Sequence, residues 1–495
     1  MINMLTAQEI KTFIDNDAVS AHKQQARTGW RYYKGDHDIK NFLIFFMDAD
    51  GNYQIDKTKS NIKMCHPFFK ILVDQEAQYV LSTKDSIFHS EIPELKKELD
   101  ERFNNNDRFK AQLYATIIGC IAKGSEYMYV YKDKNGKTMF QHADGIGVVE
   151  VEARFASDKQ NHILYWYVDR VDKDGKKIKR IQDWDKEQVV FYTQVDDGQI
   201  KLDPEAERNP RPHIVYTKDN DDALYYDTFG VIPFVRLDNN EDRESGLAYI
   251  KDQIDSYDLM NCGLANNIQD TNEALYVVKG FQGDNLDELL LNMKAKKHIG
   301  VDNDGGVEIH TIAIPYEARK IKMEIDEKNI FHFGMGVNTE AIKDTNATVS
   351  VQVKSAYANL DLKTRGFDFE LREFFRNILD IVLDEINKEN GKAYTVDDVT
   401  FRFDREFITN AQENAQIELT DAQRRQVEIN TIMSLQTVVG DDTRLRLIAE
   451  QLDIDYDELK ADAPTPEDDI NSPYVAKQAL AQVPPEEPAE GDLIE

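Results

Sequence analysis

The stretch LAYIKDQIDSYDLMNCGLANNI, residues 247–268, sets the architecture. Leu247, Ile250, Ile254, Tyr257, Asn261, Leu264 and Ile268 step by 3, 4, 3, 4, 3 and 4 residues, a heptad seam with one polar position at Asn261. A helix over 246–272 would be roughly 40 Å long at about 1.5 Å per residue. Two accounts of the seam stay open. An amphipathic helix packed inside one domain is the commoner case, and a seam between subunits is the other.

Downstream the pattern is that of a short module between two long helices. Residues 273–314 suggest a small α/β insert: strand Ala274–Val278, helix Asn285–Lys297, a turn at Gly305-Gly306 and strand Val307–Ile312. Pro315 then opens a second helix, 315–337, with Ala318, Ile321 and Ile325 on one face. Its Arg319, Lys320, Lys322 and Lys328 are a local positive excess. Residues 334–352 (GMGVNTEAIKDTNATVSVQ) lack helical periodicity and suggest a loop. From about 353 a long helical pattern runs through Tyr357, Leu360, Phe367, Leu371, Phe375 and Val382 to Gly391. A strand, Val399–Phe403, and further helices over 410–461 follow.

Upstream, residues 5–30 suggest one helix, with Thr6 and Glu9 as a capping box. Residues 61–82 suggest a second, with Phe68, Leu72, Gln75 and Tyr79 on a stripe. A third covers 91–123, interrupted near Asn104–Asn106. Between 125 and 237 the period changes to two, and Lys134-Asn135-Gly136-Lys137 and Lys173-Asp174-Gly175-Lys176 are hairpin turns. The fold class is therefore α+β. The tail from 463 holds six prolines and eight acidic residues against one lysine, a composition that favours disorder.

Composition narrows the function. The 495 residues include 91 acidic and 60 basic side chains, a formal charge of -31, which argues against a surface that adheres to nucleic acid. An acidic wall is compatible with a conduit that phosphate must slide through; an ordinary acidic protein explains the charge equally well. Three scattered cysteines, Cys65, Cys120 and Cys262, indicate neither a disulfide framework nor a zinc ribbon. No signal peptide and no run of about 18 apolar residues is visible, so no membrane role is expected. Catalytic motifs fail one by one. The Gly136-Lys137-Thr138 fragment has Tyr131 where a P-loop needs glycine, and Asp48-Ala49-Asp50-Gly51-Asn52 has Tyr53 where a calcium loop needs it. No cofactor, metal site or catalytic residue is expected.

Several phrases, in order, resemble the portal (head–tail connector) proteins of long-tailed phages of Gram-positive hosts. They are Tyr32-Tyr33-Lys34-Gly35-Asp36-His37-Asp38-Ile39; Asn61-Ile62-Lys63 with Ile71-Leu72-Val73-Asp74-Gln75 and Tyr79; Gly230-Val231-Ile232-Pro233-Phe234 with Asn239-Asn240-Glu241; Ile254-Asp255-Ser256-Tyr257-Asp258; and Val351–Tyr357 with Leu360-Asp361-Leu362-Lys363. The resemblance spans about 30–390. It departs at Thr348-Val349-Ser350-Val351-Gln352, where the family often has a Ser-Gly-hydrophobic-Ala-Leu stretch.

The resemblance implies a phage portal fold and a division of labour along the chain. Residues 1–245 become a wing of helices and β-rich block, 246–272 and 315–337 the stem, and 273–314 a clip between the stem helices. Residues 338–352 become a tunnel loop, 353–409 a long wing helix and strand, 410–462 a crown, and 463–495 a disordered tail. It implies a non-enzymatic ring of twelve copies at one capsid vertex, assembled in the host cytoplasm and carried in the virion. Double-stranded DNA would pass through it without sequence preference during packaging and ejection. Terminase, head-completion or adaptor proteins, and capsid and scaffolding proteins would be its partners. Lys343, Asp344, Thr345 and Asn346 become channel residues, with Lys343 the best placed for phosphate. Arg319, Lys320 and Lys322 become candidates for the stem lumen, though salt bridges between subunits would explain them as well. Leu247, Ile250, Ile254, Tyr257, Leu264 and Ile268 become stem packing positions. The competing accounts are a capsid or connector component without a DNA channel and a phage nucleic-acid-processing enzyme.

Overall fold

The computed structural model describes residues 4–57, 59–83, 86–151, 162–218, 221–270, 275–281, 285, 301–310, 315–338, 350–405, 411–435, 439–452, 456 and 460. The chain starts with α1 (Ala7–Ala18), capped by the expected Thr6–Glu9 box. The single helix expected over 5–30 is two helices. The Ser20 side chain accepts a hydrogen bond from the Lys23 amide at 3.2 Å and caps a new one, α2 (Ala21–Tyr33). Strands β1 (Phe45–Met47) and β2 (Tyr53–Ile55) form a hairpin over the 48–52 turn. There Asp48 Oδ1 accepts from the Asp50 and Asn52 amides at 3.1 and 2.8 Å, a polar turn closed by its own side chain. Helix α3 (Phe68–Leu81) begins later than expected, because Pro67 biases His66 away from helical geometry.

After β3 (Phe88–His89) and α4 (Pro93–Leu99), a π-helical turn at Asp100–Asn104 leads to α5 (Asp107–Lys123). The interruption is a cap: Asn106 Oδ1 accepts from the Arg108 and Phe109 amides at 3.1 and 3.2 Å. The β block then follows as β4 (Ser125–Lys132), β5 (Thr138–Ala143), β6 (Val148–Val151), β7 (His162–Val171), β8 (Lys177–Trp184) and β9 (Gln188–Val195). The shorter β10 (Lys201–Leu202), β11 (Arg211–Pro212), β12 (Ile214–Lys218), β13 (Asp221–Asp227) and β14 (Phe234–Asp238) complete it. Gly136 and Gly175, at φ of 79° and 80°, make the β4–β5 and β7–β8 turns. One sheet runs β10-β9-β8-β7-β6, with β11 also on β9, and a second runs β14-β4-β5. Helix α1 lays Ile10 against Val149, Leu164, Ile181 and Val190 of the larger sheet.

Helix α6 (Lys251–Asp270) follows a run of turns at 246–250, so it is shorter at its start than the heptad suggested. Strands β15 (Leu275–Phe281) and β16 (Val301–His310) pair antiparallel. Gly305 and Gly306 are not the expected turn. They lie inside β16, with Gly306 opposite Lys279, and the strand spans 301–310 rather than 307–312. Helix α7 (Tyr316–Phe333) starts after Pro315, and α8 (Ser350–Asn390) is 41 residues long. Gly391 ends α8 at φ 63°, a left-handed position that glycine adopts without strain. Strand β17 covers only Thr400–Phe401 of the expected 399–403 and pairs with β3.

The main core gathers α2, α3, α5, β4, β5, β14, the start of α6 and the middle of α8. Phe88 is its hub: its ring centroid lies 4.4 Å from Phe103, 4.9 Å from Phe375 and 5.7 Å from Phe401. Residues 1–408 form one compact unit and 409–495 a second. The described part of the second holds α9 (Ala411–Ser434) and α10 (Asp441–Leu452), packed on each other. The expected helix Asn285–Lys297, apart from Asn285, lies outside the described residues, as do Lys343, Asp344, Thr345 and Asn346 and the acidic tail. Among the described residues no helix is long and apolar enough to cross a membrane.

Candidate functional site: the stem pair and the feet of a loop

Helices α6 and α7 pack along each other as a two-helix stalk. Two contacts fix them. Asp326 of α7, buried, accepts from Ser256 of α6 at 2.9 Å, and Lys322 donates to the same hydroxyl at 2.8 Å while pairing with Asp326. Further along, Arg319 of α7 lies against Gly263 of α6. A Cβ added there would sit 2.4 Å from the Arg319 Nη1, so glycine makes room for the guanidinium.

A second face of α6 carries an extended strap. Amides 60, 62, 64 and 66 donate in turn to Asp270 Oδ1 (3.1 Å), Asn266 Oδ1 (2.6 Å), Cys262 Sγ (3.1 Å) and Asp258 Oδ1 (3.0 Å). The match is geometric. Two extended residues advance about 6.6 Å, and four helical residues about 6 Å. Alternate amides of the strap therefore meet every fourth side chain of the helix. Within residues 61–67, expected to be helical, the amides of 62, 64 and 66 are satisfied this way. The i, i+4 series Asp258, Cys262, Asn266 and Asp270 was the available clue in the sequence.

At the base of α6 the loop after α2 joins in. The Tyr32 hydroxyl donates to Asp255, and Lys251 bridges Asp255 and Asp38 at 2.6 and 2.8 Å. Asp258, fully buried, accepts from His37 Nδ1 at 2.6 Å and from His66 Nδ1 at 2.7 Å. Burial would lift this carboxyl, and the hydrogen bonds from His37 and His66 outweigh it and hold it below the ordinary range. Asn261, the polar position of the heptad, donates to His66 Nε2 at 2.9 Å, which leaves Nδ1 as the proton-bearing nitrogen that faces Asp258. Tyr257 packs edge-on against Phe68 at 4.9 Å.

Helix α3 holds both feet of the segment between α7 and α8. At the first foot Gln75 donates to the Val337 carbonyl (2.9 Å) and accepts from its amide (3.1 Å). A Cβ on Gly336 would fall 2.0 Å from Leu72 Cδ2, so any larger residue there would require the Leu72 side chain to move. At the second foot, Tyr79 lies 5.8 Å from the Tyr357 ring and donates to Asp361 at 3.2 Å. Lys363 ties the two feet, pairing with buried Glu76 at 2.7 Å and donating to the Gly334 carbonyl at 3.2 Å.

The stem packing positions divide. Leu247, Ile250 and Ile254 are buried in the main core of their own chain, Tyr257 and Leu264 are half-buried, and Ile268 is 57% exposed. Ile321 and Ile325 of α7 are also exposed, at 53% and 49%. Of the three basic lumen candidates, Lys322 is committed to Asp326 and Ser256, and Arg319 is half-buried against Gly263. Lys320 is exposed, and its ion pair among the described residues is a long one with Glu324 at 3.9 Å.

A family model described as phage portal protein, SPP1 Gp6-like, matches residues 14–455. The portal protein of Bacillus phage SPP1 is 26% identical over 392 residues, covering 78% of this chain and 75% of the relative. The portal protein of Clostridium phage phiCD119 is 24% identical over 401 residues, covering 76% and 82%. A chain from the neck of an empty GTA particle, computed with C6 symmetry, aligns with a TM-score of 0.40 at 10% identity over 78% of this chain and 90% of its own.

Proposed function

The chain belongs to the SPP1 Gp6-like family of phage portal proteins, a structural family with a portal and connector function; on that premise we propose how its parts divide the work. Copies stand side by side around a channel, with α6 and α7 as the stem. The observation that carries this is the exposure of apolar side chains along the stalk. Ile268, Ile321 and Ile325 are exposed along it, and so are Phe45, Met47 and Tyr53 of the β1–β2 hairpin. Soluble subunits seldom leave such patches bare unless a partner covers them. A closed ring brings a second copy to each side of every subunit.

In this arrangement the β15–β16 hairpin and the residues between its strands are the clip, the surface for packaging terminase and later for head-completion proteins. The segment from 338 to 352 is the tunnel loop. Its two feet rest on α3 through Gln75 and Tyr79, so the wing sets where the loop meets DNA. DNA contacts are few and independent of sequence, because an acidic chain at -31 with many phosphate clamps would work against itself, and tight clamping would stall movement. The chain acts as an aperture and a docking surface and performs no reaction itself.

Lys343 is the residue of the 338–352 segment assigned to phosphate contact on the resemblance, and Lys320 is the most exposed of the three basic stem candidates. Lys343→Glu is expected to leave rings intact in negative-stain micrographs and to lower the DNA packaged per head severalfold in an in vitro packaging assay. Packaging at the unaltered level would remove Lys343 from the channel.

A further inference from the structure

The base of α6 holds a group of side chains that the portal role does not use. A ring nitrogen of His37, Sγ of Cys65 and a carboxylate oxygen of Asp258 lie within 4.8 Å of one another. They come from three separate segments: the loop after α2, the strap, and α6. His37 and Asp258 are fully buried and Cys65 is half-buried. We propose that this cluster binds a zinc ion, with His37 and Cys65 as ligands and Asp258 as the carboxylate that neutralises it, and that the ion pins the strap and the α2 loop to the stem.

Three observations support a metal over a plain hydrogen-bonded cluster. Among the described residues Nε2 of His37 is buried without a hydrogen-bond partner while Nδ1 is held by Asp258, so Nε2 is the ring nitrogen left for an ion. Asp258 is a buried carboxylate whose ion-pair partners among the described residues are two imidazoles, with no lysine or arginine. A buried charge is tolerated when a cation or a metal compensates it, and a divalent ion with one thiolate and one carboxylate is neutral overall. Thirdly, the outer contacts of a metal site are already present. His66 and the His66 amide both donate to Asp258 Oδ1 and orient the carboxylate, and Asn261 fixes the His66 tautomer.

Ligand chemistry selects the ion. Imidazole with thiolate favours zinc over magnesium or calcium, which prefer all-oxygen shells. Zinc bonds are about 2.0–2.3 Å, so the ligand atoms of one ion stand about 3–4 Å apart. The atoms lie within 4.8 Å of one another, so binding requires them to draw together, and the ion takes the place of the Cys65 thiol proton, which is released to solution.

The full-length protein, purified without chelator and dialysed against metal-free buffer, should retain close to one zinc per chain by elemental mass spectrometry. After exchange to cobalt it should show a thiolate-to-cobalt charge-transfer band. Cys65→Ser, a near-isosteric change at a half-buried position, should lose the band and most of the zinc while circular dichroism stays unchanged. His37→Gln is the second variant and should lose the zinc likewise. Wild-type protein with no retained zinc and no cobalt band, or Cys65→Ser protein that keeps both, would overturn the proposal and leave a His–Asp–His hydrogen-bond cluster. Neither result depends on whether rings form.

Discussion

Replacing Ile321 and Ile325 together by aspartate is expected to abolish ring assembly and leave a folded monomer. Both side chains are about half exposed in the subunit, so the change costs little in the isolated chain. In the proposed ring the next copy would cover the α7 face, and each aspartate would become a buried charge without a partner, at about 3–5 kcal/mol per site. The penalty repeats at every interface of the ring, so closure fails even at high concentration. Mass photometry or analytical ultracentrifugation should show monomer for the double variant, with an unchanged circular dichroism spectrum. Rings of normal size from the variant would move the subunit seam off α7.

The largest stability effect is expected at Phe375. Its side chain is fully buried among Phe88, Phe374 and Phe401, with centroid separations of 4.9, 5.7 and 5.7 Å. Truncation to alanine removes a whole ring from a packed aromatic centre and should cost about 3–5 kcal/mol. Phe369 lies on the same helix but is 73% exposed, and its alanine variant should stay within about 0.5 kcal/mol of the parent. Denaturant unfolding should be measured in the Ile321→Asp/Ile325→Asp background, so that assembly does not add to the apparent stability. Similar midpoints for the Phe375 and Phe369 variants would contradict the placement of the core on α8.

What could be read from the chain, and what could not, follows from the range of each interaction. Local periodicity revealed the capping box at Thr6, the hairpin turns at Gly136 and Gly175, the long α8 ending at Gly391, and the order of α6, an insert with strands, and α7. Those features depend on neighbours within a few residues. The strap at 60–66 was misassigned as helix because its backbone partners, Asp258 to Asp270, lie about 200 residues away in sequence. Gly305 and Gly306 suggested a turn because glycine pairs usually do, yet β16 runs through them opposite β15. The heptad showed a long helix correctly but not which neighbour filled it. Its first half is buried in the chain's own core, and the end near Ile268 is exposed. The phrases that carried the family resemblance turn out to be halves of one network: Tyr32 meets Asp255, and His37 meets Asp258. The tunnel-loop residues fall outside the described residues, so Lys343 rests on the resemblance together with the well-defined feet of its loop.

The most direct test of the portal account is an electron micrograph of the purified full-length protein. Closed rings of uniform size with a central hole, and side views showing a narrow stem below a wider body, are the predicted result. A stable monomer that forms no rings at high concentration, or open filaments in place of closed rings, would contradict it.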